Sequence, residues 1–224
     1  KTKTGSSLIA RIGDWNLVTT SESFSHQSIN VERVLFHPSF DRPTYVSNVA
    51  LLILERDAVL SGSVMPVCLP EPAQNFDGAQ CIVSGWGKDV LTRTDGKQKI
   101  LKRASVPIVK NSDCERSLRN TKLGSSFNLH RTFSCAGGLG AGICPRDGGA
   151  PLVCPKPNKP NEYVQVGLVT WGIGCNENGN PEVFASIPLT VDWISETLQK
   201  EAGSPRQKLH GPTTNSAGPP SPQQ

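Results

Sequence analysis

The sequence predicts an all-β fold, and three observations carry that expectation. Gly (21) and Pro (18) are frequent while only 19% of residues are charged, the balance of many short strands joined by tight turns. Apolar residues gather in short runs of strand length, several of them bounded by glycine. Helical spacing of apolar residues is confined to two short segments.

Taken in order, Ile29-Asn-Val-Glu-Arg-Val-Leu-Phe36 alternates apolar and polar residues, as a half-buried strand does. Val49-Ala-Leu-Leu-Ile-Leu54 is wholly apolar, long enough for a strand and short for a helix. Cys81-Ile-Val-Ser-Gly-Trp-Gly87 and Val164-Gln-Val-Gly-Leu-Val-Thr-Trp171 read as further strands. Asn111-Ser-Asp-Cys-Glu-Arg-Ser-Leu118 opens on capping residues and fits a short helix. A second helix is predicted over Thr190–Lys200, with Val191, Ile194 and Leu198 on one face, Trp193 beside them, Pro188 ahead and Thr190 placed to cap. From Gly203 to Gln224 large apolar side chains are nearly absent. Such a stretch cannot bury enough surface to offset its ordering entropy, so a disordered tail is expected over 202–224, passive in preference to functional. No internal repeat is visible.

The length, 224 residues, suits one large all-β domain or two small ones. A net charge of +4 without any basic run gives no reason to expect nucleic acid or a membrane as partner. No apolar stretch approaches the ~20 residues a spanning helix needs. Lys1-Thr-Lys-Thr runs straight into Gly5-Ser-Ser with no leader pattern, as in a mature or truncated chain. Seven cysteines include no C-x-x-C pair, and there are four histidines, so neither a metal site nor a cofactor is expected. Dispersed cysteines in a Gly-rich β chain point to disulfides and hence to an oxidising, extracellular compartment. The odd count leaves one thiol free or paired outside this sequence.

Seven segments, in order, carry a resemblance: Val49-Ala-Leu-Leu, Val67-Cys-Leu-Pro70, Val83-Ser-Gly-Trp-Gly87, Phe133-Ser-Cys-Ala-Gly-Gly138, Asp147-Gly-Gly-Ala-Pro-Leu152, Val169-Thr-Trp-Gly-Ile-Gly-Cys175 and Asp192-Trp-Ile194. Together, over residues 8–200, the chain resembles the chymotrypsin/trypsin family of serine proteases. Arg11-Ile-Gly-Asp-Trp15, Asn75-Phe-Asp-Gly78, Gly87-Lys-Asp89 and Gly172-Ile-Gly-Cys175 are similar to the clip-domain serine protease homologues of arthropods, which assist prophenoloxidase activation. The resemblance implies two six-stranded antiparallel β-barrels with a site in the cleft between them. The family's Ala-Ala-His-Cys motif has no counterpart here. His26, His37, His130 and His210 stand in other contexts and read as surface or packed histidines. The expected architecture is therefore a trypsin-like double antiparallel β-barrel over 1–201 with its first barrel incomplete, a C-terminal helix, and the tail.

The resemblance also places the site. The family's Asp-Ser-Gly-Gly-Pro turn carries the serine nucleophile and holds the oxyanion with backbone N–H groups. Here the turn is Asp147-Gly148-Gly149-Ala150-Pro151, and Gly148 stands at the serine position without a side chain. Asn48 stands where the family has its triad aspartate. An amide favours the wrong imidazole tautomer, a change that costs about 10⁴ in kcat in trypsin-type enzymes. Loss of the nucleophile costs roughly 2 × 10⁶ in subtilisin. Arg146 replaces a glycine of the oxyanion turn, and Gly142 takes the place of the acidic residue at the base of the specificity pocket. Trp171 and Gly172 belong to the same degenerate pocket, where Glu182 replaces another glycine. Three readings stay open for Glu182: filling the pocket, pairing with Arg146, or facing solvent. Asp147 is retained; in active relatives it pairs with the new N-terminal ammonium after cleavage, and in a tight turn it also accepts backbone N–H bonds.

By the same resemblance Cys81 pairs with Cys154, Cys114 with Cys135, and Cys144 with Cys175. Cys68 is left over, bridged to a segment outside this sequence or free. The expected function is that of a secreted pseudoprotease acting as a protein-binding cofactor in a protease cascade, with prophenoloxidase or its activating protease as partner. Two alternatives stand beside it: an active trypsin-like endopeptidase, and a truncated product whose unpaired strand edges invite aggregation.

Overall fold

The computed structural model of the chain describes residues 8–19, 23–87, 99–138, 148–157, 159–173 and 179–203. The predicted strands form, and two sheets result. Strands β1 (Ile9–Ile12), β2 (Gln27–Phe36) and β3 (Ala50–Leu54) make an antiparallel sheet in that order. Strands β4 (Gln80–Gly85), β5 (Lys102–Val109), β6 (Phe133–Gly137), β7 (Pro151–Lys156), β8 (Lys159–Trp171) and β9 (Pro181–Ser186) close into a barrel with neighbours β4-β5-β6-β9-β8-β7. Of the two expected barrels, the second is complete. The first is a three-stranded sheet among the described residues.

Alternation along the strands sends one face of each into the barrel. Val106 and Ile108 of β5, Leu152 and Cys154 of β7, and Val164 and Val166 of β8 meet Val83 and Phe184 in the barrel interior. Cys81 of β4 is bonded to Cys154 of the adjacent β7, across a sequence separation of 73. In the chain-entropy picture a loop of that size contributes about 4 kcal/mol by restricting the unfolded chain. A second disulfide, Cys114–Cys135, joins helix α1 (Asn111–Arg119) to β6. Cys144 and Cys175 lie outside the described residues. Cys68 is exposed and unpaired. Its carbonyl accepts from Gln165 N at 3.0 Å. The Lys156 ammonium bonds to the Cys68 thiol and to Glu162, and both raise its pKa above the usual lysine value.

Both helices depart from the sequence expectation at their ends. Helix α1 is preceded by Lys110, which makes no side-chain cap. Asn111 lies inside the helix, and its Nδ2 donates to the Phe133 carbonyl at 2.9 Å, spending the amide on β6. Helix α2 spans Val191–Gly203, taking in Ala202 and Gly203. Thr190 precedes α2, and its carbonyl accepts from Ile194 N. Its hydroxyl, however, donates to Ile187 O at 3.0 Å and does not cap the first turn. Val191 and Ile194 are buried, but Leu198 is 47% exposed. The second half of α2 is tied down by polar contact instead, an ion pair between Glu201 and Arg33 of β2.

One apolar cluster joins the two sheets. Val49, ahead of β3, packs with Ala185 and Ile187 from the barrel and with Val191 and Ile194 of α2, while Leu51, Leu168 and Trp193 close around them. His37 lies against the Trp193 ring at 4.9 Å, and burial there lowers its pKa.

Two outcomes are expected from this packing. Ile194→Ala will destabilise the fold by about 2–5 kcal/mol, whereas Leu198→Ala will stay within about 0.5 kcal/mol; urea unfolding of the two variants checks the contrast. In native protein treated with iodoacetamide, peptide mapping will find Cys68 alkylated, while Cys81, Cys154, Cys114 and Cys135 become reactive only after reduction.

Candidate functional site

The turn Gly148-Gly149-Ala150 leads into β7 and is pinned to β8 by two backbone hydrogen bonds. Gly149 N donates to Val169 O at 2.8 Å, and Val169 N donates to Ala150 O at 2.9 Å. Gly149 has φ +85°, a left-handed conformation that favours glycine. Ala150 packs against the barrel core. Gly148 itself is exposed, and a Cβ added there meets no atom within 4 Å. The fold thus leaves space for a side chain at 148 and supplies none.

Across the barrel wall, β8 and β9 hold the next group. Their register shifts between Val169 and Trp171, which places Trp171 opposite Val183. The Trp171 ring meets Phe127 and Phe133 edge-on, with centroids 6.1 and 5.9 Å away. Gly172 is exposed, and a Cβ on it would overlap the Glu182 carboxylate. Glu182 is only 6% exposed. Of the readings left open for it, solvent exposure is excluded by that burial. The carboxylate fills the space over Gly172, so a side chain at 172 would have to displace it. Gly142, Arg146 and Asp147 lie outside the described residues.

Asn48 arrives from the other sheet. It is half-buried and stands immediately before Val49, the residue anchored in the cluster between the sheets. The backbone before it is strained. Tyr45 and Ser47 have φ of 58° and 53°, left-handed values that non-glycine residues rarely adopt. Conformations of this kind cost of order 1–3 kcal/mol each and persist only where the surroundings impose them. Here the surroundings are visible. Asp41 N donates to Val46 O at 3.0 Å and Ser47 N to Thr132 Oγ1 at 3.4 Å, while Val49 N closes a tight turn onto Ser47 O at 2.8 Å. Nothing in the local sequence signals this strain, and Thr132 is the barrel-side residue bonded to the strained segment.

The described histidines all have partners of their own. His26 contacts the Arg11 guanidinium at 3.2 Å, and His130 shares a hydrogen bond with Thr132 Oγ1 at 2.9 Å. His37 accepts from Ser39 N and lies tilted against the Trp193 ring. His210 lies outside the described residues. The arrangement is a turn pre-shaped by backbone bonds and an adjoining carboxylate-filled wall, with the Asn48 segment fixed beside the junction of the two sheets.

The family model described as Trypsin matches residues 4–194. Phenoloxidase-activating factor 2 of Galleria mellonella is 39% identical over 197 residues, which are 87% of this chain and 65% of that protein. Inactive CLIP domain-containing serine protease A28 of Anopheles gambiae is 34% identical over 196 residues, 87% of this chain and 50% of that protein. Trypsin-1 of Salmo salar is 34% identical over 190 residues, 84% of this chain and 71% of that protein. The chain thus spans about half to two thirds of the length of the two arthropod relatives. A match over most of the chain, joined to a closed six-stranded barrel, a second antiparallel sheet and a C-terminal helix, means that the chain belongs to the trypsin family.

Proposed function

We propose that this chain is a non-catalytic trypsin-family protein, a secreted pseudoprotease that acts by holding a partner protein. The observation that carries the reading is Gly148. It occupies the nucleophile position of the family turn, in a conformation with room for a side chain, and offers no hydroxyl. Without a nucleophile no acyl intermediate forms, whatever the surrounding donors do. Asn48 at the aspartate position supports the same reading, because an amide does not stabilise an imidazolium. Glu182, filling the space over Gly172, leaves less room for a substrate side chain there. In sequence, Arg146 stands where family members have glycine, and Asp147 is retained.

The partner follows from the relatives. Several carry the word inactive in their names, and another is named a phenoloxidase-activating factor. By likeness, this chain works in a proteolytic cascade, with prophenoloxidase or its activating protease bound across the rim of the degenerate site. Its disulfides suit the extracellular space.

Two experiments test this. The purified protein will not react with a fluorophosphonate probe and will not turn over peptide esters. Gly148→Ser will fold normally, because the position is sterically open, and will remain inactive for want of a base. Turnover blocked by serine-directed inhibitors would refute the reading. In a surface-binding assay, Arg146→Gly will weaken association with prophenoloxidase or its activating protease by about tenfold, the loss of one strong interface contact. Unchanged affinity would move the interface away from the old site.

A further inference from the structure

The turn between β2 and β3 holds a tyrosine in a conformation that tyrosine resists. Tyr45 has φ 58°. In the left-handed region the Cβ of an L-residue crowds its own backbone, and a bulky residue there is an outlier. Glycine and asparagine take the same conformation more readily. The turn is tied on both sides of Tyr45. Asp41 N donates to Val46 O at 3.0 Å, and the Asp41 carboxylate accepts from Thr44 N at 3.1 Å. Val46 packs against the cluster around Phe133 and Val183 that also supports Trp171 and Phe127. Ser47 is buried, and its N–H donates to Thr132 Oγ1.

The two left-handed residues of this turn differ in what their side chains do. Ser47 is small and buried, and it belongs to the packing that joins the turn to the barrel. The Tyr45 side chain is 47% exposed, and among the described residues it makes no hydrogen bond and no ring contact. The turn itself would be served better by a residue without a ring. Strain of this kind gathers where a side chain is held for use outside the fold. The place fits such a use. Val46, the next residue, packs against the cluster beneath Trp171, and Asn48 is three residues on, so the ring stands at the edge of the degenerate site.

We propose that Tyr45 is the aromatic anchor by which this chain holds its partner, and that it seats in an apolar pocket on a folded protein. The proposal rests on the binding role given above and names the contact within it. A single ring at the tip of a tight turn is convex, so its complement is concave. Tyrosines seated in pockets are among the residues that dominate interface energies. A turn already tied on both sides loses little further freedom on binding, which favours association.

The test pairs unfolding with binding, on the full chain. Immobilised prophenoloxidase and, separately, its activating protease are the probes. Tyr45→Gly and Tyr45→Asn both accept the left-handed backbone, so the urea midpoint of each variant will hold or rise. Their affinity for the probe that the unaltered chain binds will fall about thirtyfold, the loss of one interface hot spot. Leu198→Ala, which removes an exposed apolar side chain from α2, will bind as the unaltered chain does. Stability kept with affinity lost is a combination that a structural role for the ring does not produce. A lower midpoint in both variants would mean that the ring packs within the fold, and would overturn the proposal. Full affinity in either variant would overturn it as well, while leaving the binding role standing. An unaltered chain that binds neither probe would remove the binding role and the anchor together.

Discussion

The structure hinges on five apolar side chains. Val49 stands just ahead of β3, Ala185 comes from β9 and Ile187 follows it, and Val191 and Ile194 come from α2. The closed barrel completes its own hydrogen-bonded ladder and needs no help to bury its interior. A three-stranded sheet has no such closure, and the edges of an open sheet present backbone groups to pair elsewhere. What fixes it against the barrel is this cluster, with the Arg33–Glu201 ion pair as a polar outrigger. Hydrophobic contact is non-directional, so the cluster alone would tolerate sliding. The bond from Ser47 N to Thr132 Oγ1 and the Trp86 Nε1 bond to Trp15 O at 3.2 Å supply direction.

Under the function proposed above, that division of labour accounts for a site that keeps its form without its chemistry. The turn at Gly148 is shaped by backbone bonds to Val169, and the wall at Trp171 by aromatic packing. Neither depends on a catalytic side chain. A nucleophile can therefore vanish from the turn without the turn collapsing, and a protein surface formed around it stays available for recognition.

Much of the fold was legible because β2 alternates, β3 is a short apolar run, and β8 is followed by Gly172, signals that survive without tertiary context. Other strands were silent for physical reasons. Every residue of β9 is buried, so it shows no alternation. Pro107 in β5 argues against a strand, yet it is accommodated opposite Gln80 at the end of the β4 ladder. The capping expected of Asn111 and Thr190 does not form, because Asn111 lies inside α1 with Lys110 ahead of it and the Thr190 hydroxyl is turned back toward the Ile187 carbonyl, placements that are invisible in one dimension. Leu198 matched the helical stripe but lies beyond the reach of the barrel. At the site, Gly148 and Asn48 could be singled out by motif alone. The left-handed Tyr45 and Ser47 could not, since each is defined by what the rest of the chain places around it.

The contact between Gly172 and Glu182 also constrains how this chain can change over time. A side chain at 172 would meet the carboxylate of 182, so the two positions are coupled. A residue larger than glycine at 172 fits only where the 182 side chain swings aside or is shorter, and each position therefore sets what the other can hold.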